Sequence, residues 1–214
     1  MKLVIPALLE KSEPVLMEKI QKLKTFARRI QIDIADNTLV RNKTISLKSI
    51  SQLPKGMKVE VHLMVRNPAE FLGQCLRLRA DLVICHIEAF PELEGLHEFI
   101  TKAKKLKLRI GIAINPETSS RFVEPYLHFI DSVMFMAIHP GFQNQKFIYS
   151  TIKKVRKFRK SHPKAFIEVD GGIKKGIAKK VAKAGANGVV IGSAITQHDM
   201  QNALKEFKEE IQSA

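Results

Sequence analysis

Short runs of apolar residues recur along the chain, and each is followed by a stretch in which apolar residues repeat every three or four positions. The short runs are rich in Val and Ile and have the length of ordinary β-strands. The longer stretches are patterned like amphipathic helices. Ile148, Ile152 and Val155, for example, fall on one helix face, and basic residues cover the rest. The pattern therefore predicts strands that alternate with helices.

Eight strands are predicted, at a spacing of about 26 residues. They are Lys2–Leu8, Arg29–Ala35, Lys58–Val65, Asp81–Glu88, Arg109–Asn115, Ser132–Ile138, Ala165–Gly171 and Gly188–Ala194. Strands that alternate with helices form a parallel sheet, and eight such units predict an α/β protein with a closed (β/α)8 barrel of the TIM type. A doubly wound open sheet is the alternative, but no GxGxxG motif follows the first strand.

No linker or low-complexity segment interrupts the chain, so we expect residues 1–214 to form one barrel domain. In a barrel the apolar face of each strand packs on the helices, and the other face points inward. Strand parity then places three polar residues inward, near the carboxyl ends of their strands: Asp33, His62 and Asp170. Barrel enzymes carry their active sites at this end.

Two carboxylates and an imidazole at one barrel mouth suggest proton transfer, metal binding or both. The structural alternative is that both aspartates cap nearby loops and that His62 belongs to a satisfied polar layer of the core. The coincidence of Asp33, His62 and Asp170 at matching strand ends favours chemistry.

Glycine-rich turns follow the last three strands, at residues 139–142, 170–172 and 192–193. Glycine lets backbone N–H groups approach a phosphate, and barrels bind phosphate at the loops after strands 7 and 8. The predicted phosphate-binding residues are Gly141, Phe142, Gly171, Gly172, Gly192 and Ser193. Met64 and Met136 are candidates for an apolar lid over a reacting centre, with core packing as the alternative.

Composition excludes several other classes of protein. The 214 residues are 45% hydrophobic, which a disordered chain is not, and two cysteines without a CxxC pair exclude a disulfide scaffold and a zinc finger. No apolar run approaches the roughly 20 residues of a membrane span, and the N-terminus is interpreted as a strand rather than a signal peptide. We therefore expect a soluble, cytoplasmic protein without a membrane partner.

The net charge of +15 admits an anionic partner or a lysine-rich surface without one. The basic segment at residues 153–160 could touch nucleic acid, but a solvated helix face is the favoured interpretation, so a nucleic-acid partner is not expected.

Eight strings of the sequence, taken in order, resemble the ribulose-phosphate 3-epimerase family. They are residues 30–36 (IQIDIAD), 61–65 (VHLMV), 86–89 (HIEA), 113–118 (AINPET), 139–142 (HPGF) with Gln145 and Phe147, 167–172 (IEVDGG), 185–187 (GAN) and 192–195 (GSAI). The resemblance implies a barrel of the ribulose-phosphate-binding type. It also implies interconversion of D-ribulose 5-phosphate and D-xylulose 5-phosphate, with Asp33 and Asp170 as the two proton-transferring bases.

The same resemblance implies a pentose-phosphate substrate, a homo-oligomer and a divalent metal, most often zinc, with manganese, iron or cobalt as other occupants. Asp33, His62 and Asp170 match three of the family's four ligands, and His62 also lies among the substrate-binding positions. The fourth ligand, a histidine in the family, is Gln31 here, whose neutral amide is a poorer zinc ligand than imidazole. Ala7 replaces a substrate-contacting serine, and Gln143 and Asn144 replace two loop glycines.

Three functions stay open at this point. The leading hypothesis is the epimerase. The second is an epimerase or isomerase of another sugar phosphate, and the third is a non-catalytic sugar-phosphate binder that has lost the metal. Barrels that decarboxylate or condense use an Asp-x-Lys-x-x-Asp string, whereas the third strand here reads His62-Leu-Met.

Overall fold

Eight parallel strands close into a barrel in the computed structural model, which describes residues 2–214. The strands are β1 (Leu3–Leu8), β2 (Arg29–Ala35), β3 (Lys58–Met64), β4 (Leu82–His86), β5 (Ile110–Ile114), β6 (Ser132–Met136), β7 (Ile167–Asp170) and β8 (Gly188–Ile191). Each strand pairs with the next in sequence, and β8 pairs with β1. The predicted (β/α)8 barrel is confirmed, and the open-sheet alternative is wrong.

The helices form an outer layer around this barrel. Within residues 2–214 they are α1 (Glu13–Leu23), α2 (Leu72–Arg77), α3 (Leu93–Lys105), α4 (Ser150–Ser161), α5 (Ile177–Ala184), α6 (Ser193–Thr196) and α7 (Met200–Gln212). Short 3₁₀ turns occur at Leu47–Ser49, Pro68–Phe71, Ile87–Ala89, Ser120–Phe122 and Glu124–Tyr126. None of the helices in this part of the chain is long and apolar enough to span a membrane.

The regular alternation of strand and α-helix fails at two connections. In the described chain, only 3₁₀ turns lie between β2 and β3 and between β5 and β6. Both connections are rich in residues that favour turns, including Pro54 and Gly56 in the first and Pro116 and Pro125 in the second. Proline interrupts helical hydrogen bonding, so these segments cover the barrel without a regular helix.

Several strands end earlier than the sequence predicts. β4 stops at His86, because Ile87–Ala89 turn into a 3₁₀ helix, and β8 stops at Ile191, because Ser193 begins α6. A short apolar run does not distinguish a strand from the start of a helix. The residues predicted to end these two strands therefore belong to the segments that surround the barrel mouth.

The apolar core lies on both sides of the sheet. Outside it, Ile30, Ile32 and Ile34 of β2 join the large cluster that packs under the helices, together with Leu16 and Ile20 of α1. A smaller apolar cluster fills the barrel interior, with Ile5, Ile84, Met134, Met136 and Val190 among its members. Polar side chains occupy the rest of the interior, which confirms the predicted parity of β2, β3 and β7.

One polar layer of the interior lies toward the amino-terminal end of the strands. Arg29 forms an ion pair with Glu60, and Glu168 faces Glu60 and Ser132. Burial and the neighbouring charge of Glu60 raise the pKa of Glu168 well above its usual range. The raised pKa favours the protonated form of Glu168, which is the form able to donate to Glu60 beside Arg29.

Candidate active site

A cavity opens at the carboxyl ends of the strands, and all the residues predicted for catalysis and substrate binding line it. They are Asp33, His62, Met64, Met136, Gly141, Phe142, Asp170, Gly171, Gly172, Gly192 and Ser193. β2, β3 and β7 bring the charged groups to its floor, since Asp33 and His62 are direct partners in the β2–β3 register. Met64 and Met136 are buried beside them, so the lid role stays a prediction.

Gln31 lies beneath this floor and links the two aspartates. Its Nε2 donates to Asp33 Oδ1 at 2.8 Å and to Asp170 Oδ2 at 2.9 Å, and it lies 3.4 Å from Nδ1 of His62. Both amide hydrogens are used by these two contacts, and the Gln31 Oε1 atom is buried without a partner in the described residues. One amide nitrogen thus lies among all three predicted ligand atoms.

His62 completes this cluster and continues into a second histidine. Its Nδ1 lies 3.1 Å from Asp33 Oδ1 and 3.7 Å from Asp170 Oδ2, while its Nε2 lies 2.8 Å from Nε2 of His86. Nδ1 of His86 in turn lies 3.3 Å from Oε2 of Glu88. The two imidazoles are stacked, with ring centroids 5.0 Å apart.

Burial shifts the acid–base behaviour of the whole cluster. It raises the pKa of Asp33 to about 7, against the hydrogen bond from Gln31. Burial and the charge of Asp33 raise the pKa of Asp170 to about 7. Burial lowers the pKa of His62, so the imidazole is neutral. Two carboxyl groups that titrate near neutrality are suited to take up and return a proton.

The donor set fits a divalent metal. Ligand atoms of Asp33, His62 and Asp170 all lie within 4.8 Å of one another, and two carboxylates with one imidazole are a zinc-type set. The buried, unpartnered Oε1 of Gln31 supplies a fourth candidate, because rotating the amide by half a turn exchanges it with Nε2. The residues present are therefore able to hold a metal.

The other side of the cavity is formed by glycine backbone. Gly171 and Gly172 both have positive φ, 110° and 66°, and a Cβ on Gly172 would lie 2.8 Å from the backbone nitrogen of Phe147. Side chains are excluded there, and the backbone can approach a ligand closely. The exposed Lys174 also lines the cavity and places a cation next to these glycines.

The loop between β6 and α4 closes over this glycine side. Gln143 reaches across it, so that a Cβ on Gly192 would lie 2.8 Å from Gln143 Nε2. Gln145 braces the loop by donating to the carbonyls of His139 and Phe142, and Asn42 donates to the carbonyl of Gly141. The Phe142 residue stays 53% exposed at the rim.

Several residues of the site could not be assigned from the sequence. His86 and Glu88 carry no role on spacing alone, yet His86 contacts His62 and Glu88 contacts His86. Lys174 and Gln143 also belong to the cavity; Lys174 is signalled only by its position after a glycine turn, and Gln143 by the family loop glycine that it replaces. His139, also near a strand end, pairs with Glu117 on the surface instead.

Comparison with known proteins identifies the relatives of this barrel. The sequence model of the ribulose-phosphate 3 epimerase family matches residues 3–196. The chain belongs to this family. It is 33% identical over 218 residues to the ribulose-phosphate 3-epimerase of Bacillus subtilis (strain 168), which covers 96% of this chain and 97% of that protein. The enzyme of the same name from Aquifex aeolicus (strain VF5) is 32% identical over 202 residues, with 91% and 90% covered.

Solved structures of proteins with other names share the fold of this barrel. The structure of KGPDC from Streptococcus mutans has a TM-score of 0.76 at 13% identity, with 99% of this chain and 98% of that chain covered. 3-Hexulose-6-phosphate synthase from Salmonella typhimurium has a TM-score of 0.71 at 19% identity, with 100% and 99% covered. At these identities the likeness concerns the fold alone.

Proposed function

We propose that this chain interconverts D-ribulose 5-phosphate and D-xylulose 5-phosphate, which is epimerisation at C3 of ribulose phosphate, and its curated relatives are named ribulose-phosphate 3-epimerase. One observation carries the proposal: Asp33 and Asp170 approach a single point of the cavity floor and both titrate near neutrality. Epimerisation at a carbon next to a carbonyl requires removal of a proton from one face and delivery of a proton to the other.

The two aspartates divide this work. The ionised carboxylate takes the proton from C3, and the electron pair of the C–H bond moves into the carbonyl to give an enediolate. The neutral carboxylic acid then protonates C3 on the opposite face, and the electron pair returns to form the C–H bond. The two groups exchange roles in the reverse direction, which suits a pair whose pKa values are both about 7.

A divalent metal held by Asp33, His62 and Asp170 would supply positive charge that makes the C3 proton more acidic and the enediolate less costly. Zinc suits the mixed imidazole and carboxylate set best, and manganese, iron and cobalt also accept it. Gln31 would offer its amide oxygen as a fourth ligand once the amide is turned over.

The glycine side of the cavity is proposed to bind the phosphate of the sugar. Gly171, Gly172, Gly192 and Ser193 line it, and Lys174 adds a positive charge. Anchoring the phosphate there leaves the other end of the sugar over the floor, where the carboxyl groups lie. Binding at a distance from C3 orients the reacting carbon without entering the chemistry.

The experiment that tests this function is NMR of the purified protein with D-ribulose 5-phosphate in D2O. Deuterium at C3 together with formation of D-xylulose 5-phosphate is the expected result. The same sample is run with added Zn²⁺ or Mn²⁺ and with a chelator, which should remove most of the activity. Full activity in chelator would contradict the metal role, and no exchange under any condition would contradict the epimerase.

A sugar-phosphate binder without turnover is the second candidate. The observation that favours it is Gln31, whose amide nitrogen lies where the ligand atoms converge. Calorimetric binding of pentose phosphates without deuterium exchange would support this alternative. Exchange with a different sugar phosphate would instead support an altered specificity, to which Gln143 and Asn144 in the mouth loop would contribute.

A further inference from the structure

Three side chains run in a line from the end of β4 to the floor of the cavity: the partly exposed Glu88 and the buried His86 and His62. Glu88 contacts His86 at 3.3 Å, and His86 contacts His62 at 2.8 Å through their Nε2 atoms. His62 then presents Nδ1 to Asp33 at 3.1 Å. Both histidines are buried, with 1% or less of either residue exposed, so the contact between their Nε2 atoms is shielded from water, whereas the Glu88 side chain is 22% exposed.

Glu88 begins the line as a carboxylate. Burial acts to raise its pKa, but the hydrogen bonds from His86, from Thr118 and from the backbone N–H of Asn115 outweigh burial and bring the pKa below its usual value. The Asn115 N–H donates to Glu88 Oε1 at 2.8 Å, which leaves Oε2 for His86. An ionised carboxylate only accepts hydrogen bonds, so Nδ1 of His86 must carry a proton.

The position of that proton decides the next contact. A neutral imidazole carries one N–H, so His86 with its proton on Nδ1 offers a lone pair at Nε2. Two Nε2 atoms at 2.8 Å need one proton between them, and His62 must supply it. The remaining nitrogen of His62, Nδ1, is then left with its lone pair toward Asp33 and Asp170.

We propose that Glu88 and His86 are positioning residues that fix His62 as the Nε2–H tautomer and aim the lone pair of Nδ1 at the two aspartates. The tautomer itself follows from contacts within the protein alone. Its consequence, a preformed metal ligand, rests on the proposed function. Neither residue touches the reacting carbon, so neither is a catalytic residue.

Both ends of the line offer a carboxylate oxygen to a ring nitrogen, since Asp33 Oδ1 lies 3.1 Å from Nδ1 of His62, but the reversed arrangement of protons is disfavoured. If His62 carried its proton on Nδ1, His86 would have to carry its own on Nε2, and its Nδ1 lone pair would face the Glu88 carboxylate at 3.3 Å. Glu88 Oε2 would then have no donor among the described residues, because the other two donors to Glu88 bind Oε1. Asp33 Oδ1, by contrast, keeps the Gln31 N–H at 2.8 Å in either arrangement. An acceptor without any donor is the costlier of the two, so the proton on Nδ1 of His86 is favoured.

Long-range ¹H–¹⁵N NMR of the metal-free, ¹⁵N-histidine-labelled protein reads the tautomers directly. The wild type is expected to show His62 as Nε2–H and His86 as Nδ1–H, with signals assigned among the seven histidines from His62→Asn and His86→Asn variants. His62 with its proton on Nδ1 would overturn the proposal. This measurement needs no activity, so it is decided even if the chain proves not to be an epimerase.

A variant set tests the role of Glu88. Glu88→Ala removes the acceptor, so both histidines should lose their single tautomer, and Zn²⁺ should bind about 10- to 100-fold more weakly in competition with a chromophoric chelator. Glu88→Gln has a single acceptor oxygen, which the N–H of Asn115 and the hydroxyl of Thr118 hold, so its amide N–H faces Nδ1 of His86 and should reverse both tautomers. The matched control is Glu117→Ala, which removes an exposed carboxylate from the neighbouring loop and should change neither the tautomers nor the Zn²⁺ affinity.

Unchanged tautomers in Glu88→Ala would overturn the positioning role, as would an equal loss of Zn²⁺ affinity in Glu117→Ala. If Glu88→Ala does not fold, the spectra of the wild type and of Glu88→Gln still decide the question. Absence of Zn²⁺ binding to the wild type, with the expected tautomers present, would contradict the metal function and leave the tautomer assignment intact.

Discussion

Gln31 is the residue at which this site departs from the ligand pattern of its family. Its amide nitrogen donates a hydrogen bond to Asp33 at 2.8 Å and another to Asp170 at 2.9 Å, so the two buried carboxyl groups can lie close together without a cation between them. The same amide must turn over before its oxygen can face a metal, and that rotation breaks both hydrogen bonds. Metal binding is therefore opposed by the residue that holds the cluster together.

Replacing Gln31 with histidine should strengthen metal binding. Gln31→His removes the competing hydrogen bonds and adds an imidazole ligand, and we expect the Kd for Zn²⁺ to fall about tenfold or more, equivalent to about 1.4 kcal/mol. Chelator competition measures the change. Gln31→Leu, which offers no ligand atom, is the control and should bind more weakly than Gln31→His. Equal affinities of all three proteins would show that position 31 does not contact the metal.

The two aspartates should each be indispensable. Asp33→Asn or Asp170→Asn leaves one face of C3 without a base, and we expect epimerisation to fall at least 10²-fold, within the roughly 10²–10⁴ attributed to acid–base groups. The rate of D-xylulose 5-phosphate formation is the measurement. Asp36→Asn is the control, since Asp36 holds Thr38 in the adjacent loop. Retention of full activity by either site variant would refute the two-base mechanism.

At the scale of the element, the turn after β7 gives two neighbouring lysines different roles. Lys174 lines the cavity, whereas Lys175 pairs with Glu206 of α7 at 2.7 Å. Lys174→Ala should raise KM for the sugar phosphate about tenfold with little change in kcat, because the phosphate is bound equally in ground and transition states. Lys175→Ala should change neither constant. A fall in kcat alone would place Lys174 near the reacting carbon instead.

The strands could be predicted from the sequence more fully than the segments that connect them. Alternation in β2 and β3 placed Asp33 and His62 inward, because side chains switch faces at every residue. The connections after β2 and β5 obey no such rule, and their prolines produce 3₁₀ turns rather than the predicted helices. The contact between His62 and His86 depends on the pairing of β3 with β4 and on the rotamers of both side chains, and the spacing of residues along the chain specifies neither.

For the molecule as a whole, the buried layer of Glu60, Glu168 and Arg29 links stability to pH. The pKa of Glu168 is raised in the folded state, so the folded protein holds a proton that the unfolded chain releases above the usual glutamate pKa of about 4.3. The stabilisation that Glu168 contributes is fully present below that pH and is lost as the pH rises toward the pKa of Glu168 in the folded state.

Glu168→Gln should remove this decline. Its amide can donate to Glu60 as the neutral acid does, and it does not titrate. The free energy of unfolding of the variant should therefore rise relative to that of the wild type as the pH increases above about 4.3, by at most about 1.4 kcal/mol per pH unit. Urea unfolding in chelator at pH 5.5 and at pH 8 would measure it. A constant difference at both pH values would contradict a protonated Glu168. Glu60→Gln, which leaves the Arg29 guanidinium without its carboxylate partner, should destabilise the fold at both pH values.

The bridge that Gln31 forms between Asp33 and Asp170 makes metal loading a separate event from folding. A site held in shape without its ion does not need that ion to assemble, so chelator should abolish activity while the barrel keeps a cooperative thermal transition. Added Zn²⁺ should then raise Tm only by mass action, in proportion to the logarithm of its concentration above Kd. The amount of active protein in a cell would follow the supply of metal, even while the amount of folded protein stays constant.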